Sequence, residues 1–209
     1  MFDIREVSLD SVYELFFCYH AYGGTSATAT YVFGVFEDDV LVAAYTWQPP
    51  PPGAAKNICP EEPGGVLALS RMVAVPKNQR RLKHISKPLM VQMKKLIDRG
   101  RWPVLVTYSD EGLNHNGYVY QCSGWTPTSR NLAKQYVDKR GTRTSPYSRG
   151  KTSTKGLTFI GEAWLQRWEH WACPKGEVAE HMKKHGWVRR ALPGKTWRSG
   201  RQAHRWFKD

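Results

Sequence analysis

The sequence predicts an α/β fold, a mixed central sheet with flanking helices, from three observations. A hairpin of β-branched and aromatic residues precedes a strand–helix–strand unit, the first strand of that unit is long and almost wholly apolar, and an amphipathic helix stands ahead of both. At 209 residues the chain sits at the upper edge of the roughly 100–200 residues expected per domain, so one domain with an appendage is expected. Hydrophobic residues make up 41% and charged residues 23%, which supplies a packed core and excludes a disordered chain.

Ser8-Leu9-Asp10 offers a helix cap, and Val12, Leu15, Phe16 and Tyr19 then recur at the spacing of one helical face, ending by Gly23-Gly24. Residues 31–36 and 40–47, joined by Glu37-Asp38-Asp39, read as a hairpin. Six prolines and three glycines in residues 48–65 predict a loop. Residues 66–75 (VLALSRMVAV) read as a central strand stopped by Pro76. A basic connection, 78–84, leads to a helix start at Ser86 with Pro88 just inside it, and Ile85, Leu89, Met93, Leu96 and Ile97 form one apolar stripe until Gly100. Residues 102–108 are a further strand, returning parallel to the first, and 113–122 a short helix before Gly124-Trp125. Beyond this the pattern weakens: 126–155 is polar and basic, 157–171 reads as a strand running into a helix or turn, and the tail alternates Trp, Lys, Arg and His. The expected division is a catalytic domain over 1–160, including a basic loop at 130–155, and a basic, Trp-rich extension over 161–209 packed on it.

The net charge of +13 is unevenly spread. Residues 1–70 hold only Arg5 and Lys56 against nine acids, a net −7, while residues 71–209 hold 29 basic residues against nine acidic ones, a net +20. Such asymmetry points to a polyanion, with nucleic acid the expected partner and a solvated basic loop the plainer alternative. Arg130, Lys134, Lys139, Arg140, Arg143, Arg149, Lys151 and Lys155 are the candidate phosphate contacts, and Tyr136 and Tyr147 can stack on a displaced base. Lysines 183, 184 and 195 and Arg189, Arg190, Arg198, Arg201 and Arg205 continue the charge among Trp187, Trp197 and Trp206, tryptophans expected mainly to pack on the domain. No apolar run reaches the roughly 20 residues of a membrane span and the N-terminus lacks a signal-peptide core, so an intracellular protein with no membrane partner is expected. The four cysteines form no C-x-x-C pair, so neither a disulfide framework nor a cysteine zinc site is indicated.

Two strings go further: LSRMVAVP at 69–76 and LVTYSDEGLNHNGYVYQCSGW at 105–125. With the helix, hairpin, strand, helix, strand order, they resemble the Mom family of phages and prophages, a divergent branch of the GNAT-like acyltransferases, over about residues 10–160. The resemblance implies a GNAT-like fold and an enzyme, cytoplasmic in a bacterial host, that puts a carbamoylmethyl (acetamido) group on the exocyclic amine of adenine in double-stranded DNA and so protects it from restriction. It also implies iron as a candidate metal and leaves the donor open. Ordinary members carry a glycine-rich turn that presents N–H groups to the pyrophosphate of acyl-CoA. Here that turn, 76–84, has no glycine, which argues against a standard acyl-CoA site. Two other readings stay open: an acyltransferase acting on a protein or small molecule, and a non-catalytic nucleic-acid-binding protein of the same fold.

Asp110 follows the second strand at its C-terminal end, where ligands gather in open α/β sheets, and is the first catalytic candidate, as base or orienting acceptor or as a metal ligand. The alternative is a helix cap. Tyr120, ten residues on, is placed as an acid or hydrogen-bond donor, or else as core. Arg71 interrupts an apolar strand and must face an anionic ligand or an internal acid such as Asp110. In the string CYHAY, His20 is a base or metal ligand or merely ends its helix, and Tyr19 or Tyr22 is a ligand or stacking surface. Arg80 and Arg81 in the glycine-free turn, with Ser86, are the candidates to hold an anionic donor, Ser86 having a simple N-cap as its other explanation.

Overall fold

The computed structural model describes residues 2–24, 28–78, 82–144, 154–196 and 202–209. Among these residues ten strands and five α-helices follow the order β1 (Phe2–Glu6), α1 (Asp10–Tyr19), β2 (Tyr31–Glu37), β3 (Val40–Gln48), α2 (Pro52–Ile58), β4 (Val66–Ala74), α3 (Leu82–Asp98), β5 (Val104–Asp110), α4 (Tyr118–Cys122), β6 (Thr126–Val137), β7 (Arg143–Thr144), β8 (Thr158–Trp171), α5 (Val178–Lys184), β9 (Trp187–Thr196) and β10 (Gln202–Lys208). Strands β1 to β8 form one sheet in the order β1-β2-β3-β4-β5-β8-β6-β7, and β9 pairs with β10 in a separate ribbon. Only β4 and β5 run parallel among the paired strands of this sheet; the others are antiparallel. Among the described residues no helix is long and apolar enough to cross a membrane.

The hairpin β2–β3 closes through Asp38 and Asp39, both left-handed at φ 52° and 59°, a geometry that matches the twist of paired strands and that a short acidic side chain tolerates. One sheet face is covered by α3 and α4. Ile85, Leu89, Met93 and Leu96, the stripe read from the sequence, pack there against Phe33, Tyr45, Trp47, Leu67, Leu69 and Leu105. The opposite face is covered in two patches: Val12, Leu15 and Phe16 of α1 on Val32, Ala44 and Val73, and Ala55, Ile58, Val178, Met182 and Trp206 on Val66, Val104 and Val106.

Four expectations change. The 48–65 stretch contains α2, for which Pro52 stands at the helix start, where a missing N–H costs nothing, so a proline run that looked like a loop also initiates a helix. Helix α3 begins at Leu82, so Ser86 and Pro88 are interior residues and Ser86 is not an N-cap. The first part of the basic loop, residues 130–137, belongs to strand β6, whose residues are exposed except for Gln135 and a few half-buried neighbours, which is why no apolar alternation marked it; residues 143–144 form β7, and 145–153 lie outside the described residues. Finally, residue 160 falls inside β8, which inserts between β5 and β6 as the sixth of the eight strands. The C-terminal segment therefore contributes a sheet strand, and only α5, β9 and β10 lie outside it. Trp168 and Trp206 are buried and Trp171 and Trp187 pack beside them, whereas Trp164 remains 41% exposed.

Gly117 begins α4 at φ +75°, and a Cβ there would lie 2.1 Å from the Trp168 ring; Gly124 has the same backbone hand, φ +78°, and nothing within 4 Å. Gly117→Ala is expected to cost about 2–4 kcal/mol and Gly124→Ala only about 1 kcal/mol in urea unfolding, because both strain the backbone but only the first overpacks. Equal losses would contradict the packing of α4 on Trp168.

Candidate active site

The parallel pairing of β4 with β5 covers only Val66↔Val104, Leu67↔Leu105 and Ala68↔Val106. Past that point β4 continues along β3, and β5 along β8 as far as Asp110. The two strands therefore part, and the cleft-side edge of β4 beyond Ala68 has no partner strand among the described residues. A bulge falls at the same place. Trp47 faces Leu69 and Thr46 faces Arg71, so Ser70 is the extra residue on β4. Strict alternation would put Arg71 on the face of Leu67 and Leu69, inside the α3 core. The bulge turns it instead to the α1 face, beside Thr46.

Four side chains meet on that face. Helix α1 ends at His20, whose N–H donates to the Phe16 carbonyl at 3.0 Å, and the chain turns through Gly23 (φ 50°) and Gly24 (φ 101°). This turn lays Tyr22 across the opening. Its hydroxyl donates to Asp110 Oδ2 at 2.8 Å, its ring lies under the Arg71 guanidinium with Cζ 5.3 Å from the centroid, and its backbone N–H donates to His20 Nδ1 at 3.2 Å. The other Asp110 oxygen, Oδ1, accepts from the Gly112 N–H at 2.9 Å, while Arg143 donates to the Gly112 carbonyl at 2.8 Å and so ties β7 to the loop after β5.

The electrostatics are those of a desolvated cleft. Arg71 donates to the Ser70 carbonyl at 3.1 Å, its Nε is buried without a partner, and among the described residues no carboxylate pairs with it. Burial lowers its pKa, yet a guanidinium stays charged at neutral pH. Burial, with Arg71 and His115 nearby, depresses His20 to about 4, so its imidazole is neutral. Burial and the bond to Asp110 raise the Tyr22 hydroxyl, which therefore remains a proton donor. The cleft thus presents one carboxylate acceptor, oriented by two neutral donors, next to a cation with unused donors.

The structure brings Asp110, Arg71 and His20 together and adds Tyr22, which ranked in the sequence only as a stacking surface or ligand. The string CYHAY before Gly-Gly was its one local signal. Tyr120 lies elsewhere: it is buried, packed between Trp125 and Trp168, and hydrogen-bonded to Thr107, on the sheet face opposite Asp110. Its placement as an acid over the Asp110 carboxylate is therefore corrected to a core position. Tyr19, 47% exposed, lines a shallow depression with Ser11, Glu14, Leu15, Cys18 and Leu41 rather than the cleft. Ser86 is buried four residues inside α3, away from the helix start it was expected to occupy. Arg80 and Arg81 lie outside the described residues.

Among the described residues no group of three or more His, Cys, Asp or Glu is arranged to hold a metal ion, and the Tyr22 hydroxyl spends its proton on Asp110. The described residues of the cleft do not assemble a ligand set for iron. Of the basic candidates, Lys134, Lys139, Arg140 and Lys155 are exposed, Arg130 is exposed but chelated by both Glu111 oxygens at 2.7 Å and stacked on Trp164, and Tyr136 packs edge-on against Phe159. Tyr147, Arg149 and Lys151 fall outside the described residues. The turn between β6 and β7, with Lys139 and Arg140, lies against the site loop: the Thr142 methyl is 3.3 Å from where a Cβ would stand on Gly23.

Known proteins place the fold. The Mom protein family matches residues 1–181. No curated protein matches. Among solved structures, the ribosomal-protein-S18-alanine N-acetyltransferase of Escherichia coli is 14% identical, with 85% of this chain and 97% of that one covered at a TM-score of 0.54. The IAA acetyltransferase of Bacillus cereus is 10% identical, covering 82% and 99%, at 0.53. A putative acetyltransferase of Salmonella typhimurium, solved with acetyl-CoA, is 12% identical, covering 84% and 96%, at 0.53. At these identities the likeness shows the fold, which is that of the GNAT acetyltransferases.

Because His20 ordinarily titrates at 6.5 and here at about 4, the unfolded chain takes up a proton between those values that the folded one refuses. Stability therefore falls as pH drops through that window, by on the order of 2 kcal/mol between pH 7 and 4.5 from this group. Urea unfolding at the two pH values should show a larger loss for the wild type than for His20→Gln. Equal losses would mean that His20 is freely solvated.

Proposed function

Since the chain belongs to the Mom protein family, we propose that it is a phage-type DNA-modification enzyme that adds a carbamoylmethyl group to the exocyclic amine of adenine and so shields DNA from restriction. The observation that carries this reading is the meeting, at the β4–β5 opening, of an oriented carboxylate with a half-buried guanidinium whose Nε is unpartnered and which no carboxylate pairs with among the described residues.

The adenine amine is a weak nucleophile because its lone pair is delocalised into the ring. It must leave the base stack, be oriented, and meet an activated carbon. Extrusion of the base costs a few kcal/mol, returned by polar and stacking contacts in the pocket. Asp110, its oxygens fixed by Tyr22 and Gly112, accepts an amine N–H and takes the proton as the new N–C bond forms and the donor's leaving group departs with the bonding pair. Arg71 supplies the positive charge that binds an oxygen of the transferred group or an anionic part of the donor. An acyl-CoA-like donor fits the unpaired edge of β4, where an extended amide-bearing arm can hydrogen-bond the backbone; because the new bond is to the methylene carbon of the carbamoylmethyl group, the leaving group must stand on that carbon. The turn at 79–81 that would meet its phosphates is outside the described residues. Lys134, Lys139 and Arg140 supply phosphate contacts leading to the cleft, with the β6–β7 turn at its mouth. Arg130, neutralised by Glu111, contributes less than the sequence implied.

Nucleosides from the DNA of cells expressing the protein should include an adenosine heavier by the carbamoylmethyl group on mass spectrometry. Asp110→Ala should reduce it at least about 100-fold with the fold intact. Unmodified DNA from well-expressed wild type would favour a non-catalytic DNA binder, or transfer to another amine. Reversing the charge at Lys139 and Arg140 together should weaken DNA binding about tenfold or more and flatten its salt dependence; unchanged binding would move the interface elsewhere.

A further inference from the structure

We propose that His20 acts as a fixed, neutral Nε2–H hydrogen-bond donor to the carbonyl oxygen of the transferred group, and neither as a general base nor as a metal ligand. The proposal rests on the modification reading above and deepens it.

A neutral imidazole carries one proton, on one nitrogen or the other. The backbone N–H of Tyr22 points at His20 Nδ1 from 3.2 Å. An amide N–H can only donate, so Nδ1 must present its lone pair and the proton must sit on Nε2. The turn that imposes this is held by three further bonds: Gly23 N–H to the His20 carbonyl at 2.8 Å, and His20 N–H and Gly24 N–H to the Phe16 carbonyl at 3.0 and 3.4 Å. The tautomer is thus a property of the backbone. To serve as a base through Nε2, the ring would have to move its proton to Nδ1, facing the Tyr22 N–H hydrogen to hydrogen. Metal ligation through Nε2 fails for the same reason, since a ligating histidine normally donates its other N–H to an acceptor, and here that nitrogen meets a donor.

The surroundings agree with a neutral donor. Arg71 and His115 both lower the affinity of the ring for a second proton, and the Phe16 and Tyr22 rings flank it at 6.0 and 5.9 Å. Among the described residues no hydrogen bond occupies Nε2. One side of the cleft, Arg71 with His20, therefore offers only N–H donors, and the other side, Asp110, offers the acceptor. The carboxamide oxygen of the transferred group belongs with the donors, where a neutral imidazole and a guanidinium fix it and draw electron density from the neighbouring methylene carbon as the amine displaces the leaving group there.

Nitrogen-15 NMR of histidine-labelled protein at neutral pH, with His20 assigned by the signal missing from His20→Gln, should show the Nε2–H tautomer. Adding Fe(II) or Zn(II) should leave it unchanged. An Nδ1–H tautomer, an imidazolium, or a metal-dependent shift or broadening at His20 would overturn the proposal. In the modification assay, His20→Gln, whose amide N–H can replace Nε2–H, should stay within about tenfold of wild type. His20→Asp, able to act as base or ligand but not as donor, should fall by about 100-fold or more; the reverse ranking would also overturn the proposal. The NMR result needs no turnover, so it stands even if the protein does not modify DNA, and the two failures are distinguishable.

Discussion

The short pairing of β4 and β5 is the constraint on which the rest of the molecule depends. Three parallel residue pairs hold the two strands together, after which each is claimed by its other neighbour, β3 or β8. A parallel sheet that continued would bury both faces and leave no opening. The bulge at Ser70 makes the separation useful, because it moves Arg71 from the α3 core to the α1 face, where Asp110 and the turn after α1 can reach it. One inserted residue thus converts a prohibitively buried cation into a wall of a cleft.

The cleft carries a cost that the fold does not relieve. Burying a guanidinium without an anion is unfavourable, and Asp110, the carboxylate bonded to the same tyrosine, has both oxygens occupied by the neutral donors Tyr22 and Gly112. The Tyr22 ring under Arg71 offsets part of that cost through its π-face. A site organised for stability alone would have let Arg71 and Asp110 form an ion pair. Keeping them apart, with a tyrosine between, preserves one acceptor and one cation for a ligand, a form of local strain typical of functional sites. The remaining elements support this arrangement: α2, α5 and the β9–β10 ribbon cover the base of β4 and β5 where they are still paired, so the opening widens from a firmly packed end.

Much of this was legible in the residues, and what was not has physical reasons. The hairpin, β4, the α3 stripe and β5 announce themselves because burial on one or two faces imposes a period on apolar residues. Asp110 and Arg71 were legible as an acid at a strand end and a cation inside an apolar run. Strand β6 was not, since its register is imposed by β8, a strand that starts 21 residues after β6 ends, and its side chains are mostly solvated. The Ser70 bulge leaves no composition signal. Nor does the bond from Tyr22 to Asp110, which joins residues 88 apart. Tyr120 reads from the sequence as a donor over the site or as core, and its aromatic neighbours Trp125 and Trp168, which local spacing does not announce, draw it into the core.

The central claim is that the α1 face of the β4–β5 opening receives an adenine removed from its duplex. A structure of the protein with double-stranded DNA containing a mismatched adenine, which lowers the cost of extrusion, tests this most directly. The account predicts an unstacked adenine with its exocyclic nitrogen within hydrogen-bonding distance of Asp110 and the adjacent phosphates near Lys139 and Arg140. An adenine still stacked in the duplex, or extruded onto the α3 face, would contradict it.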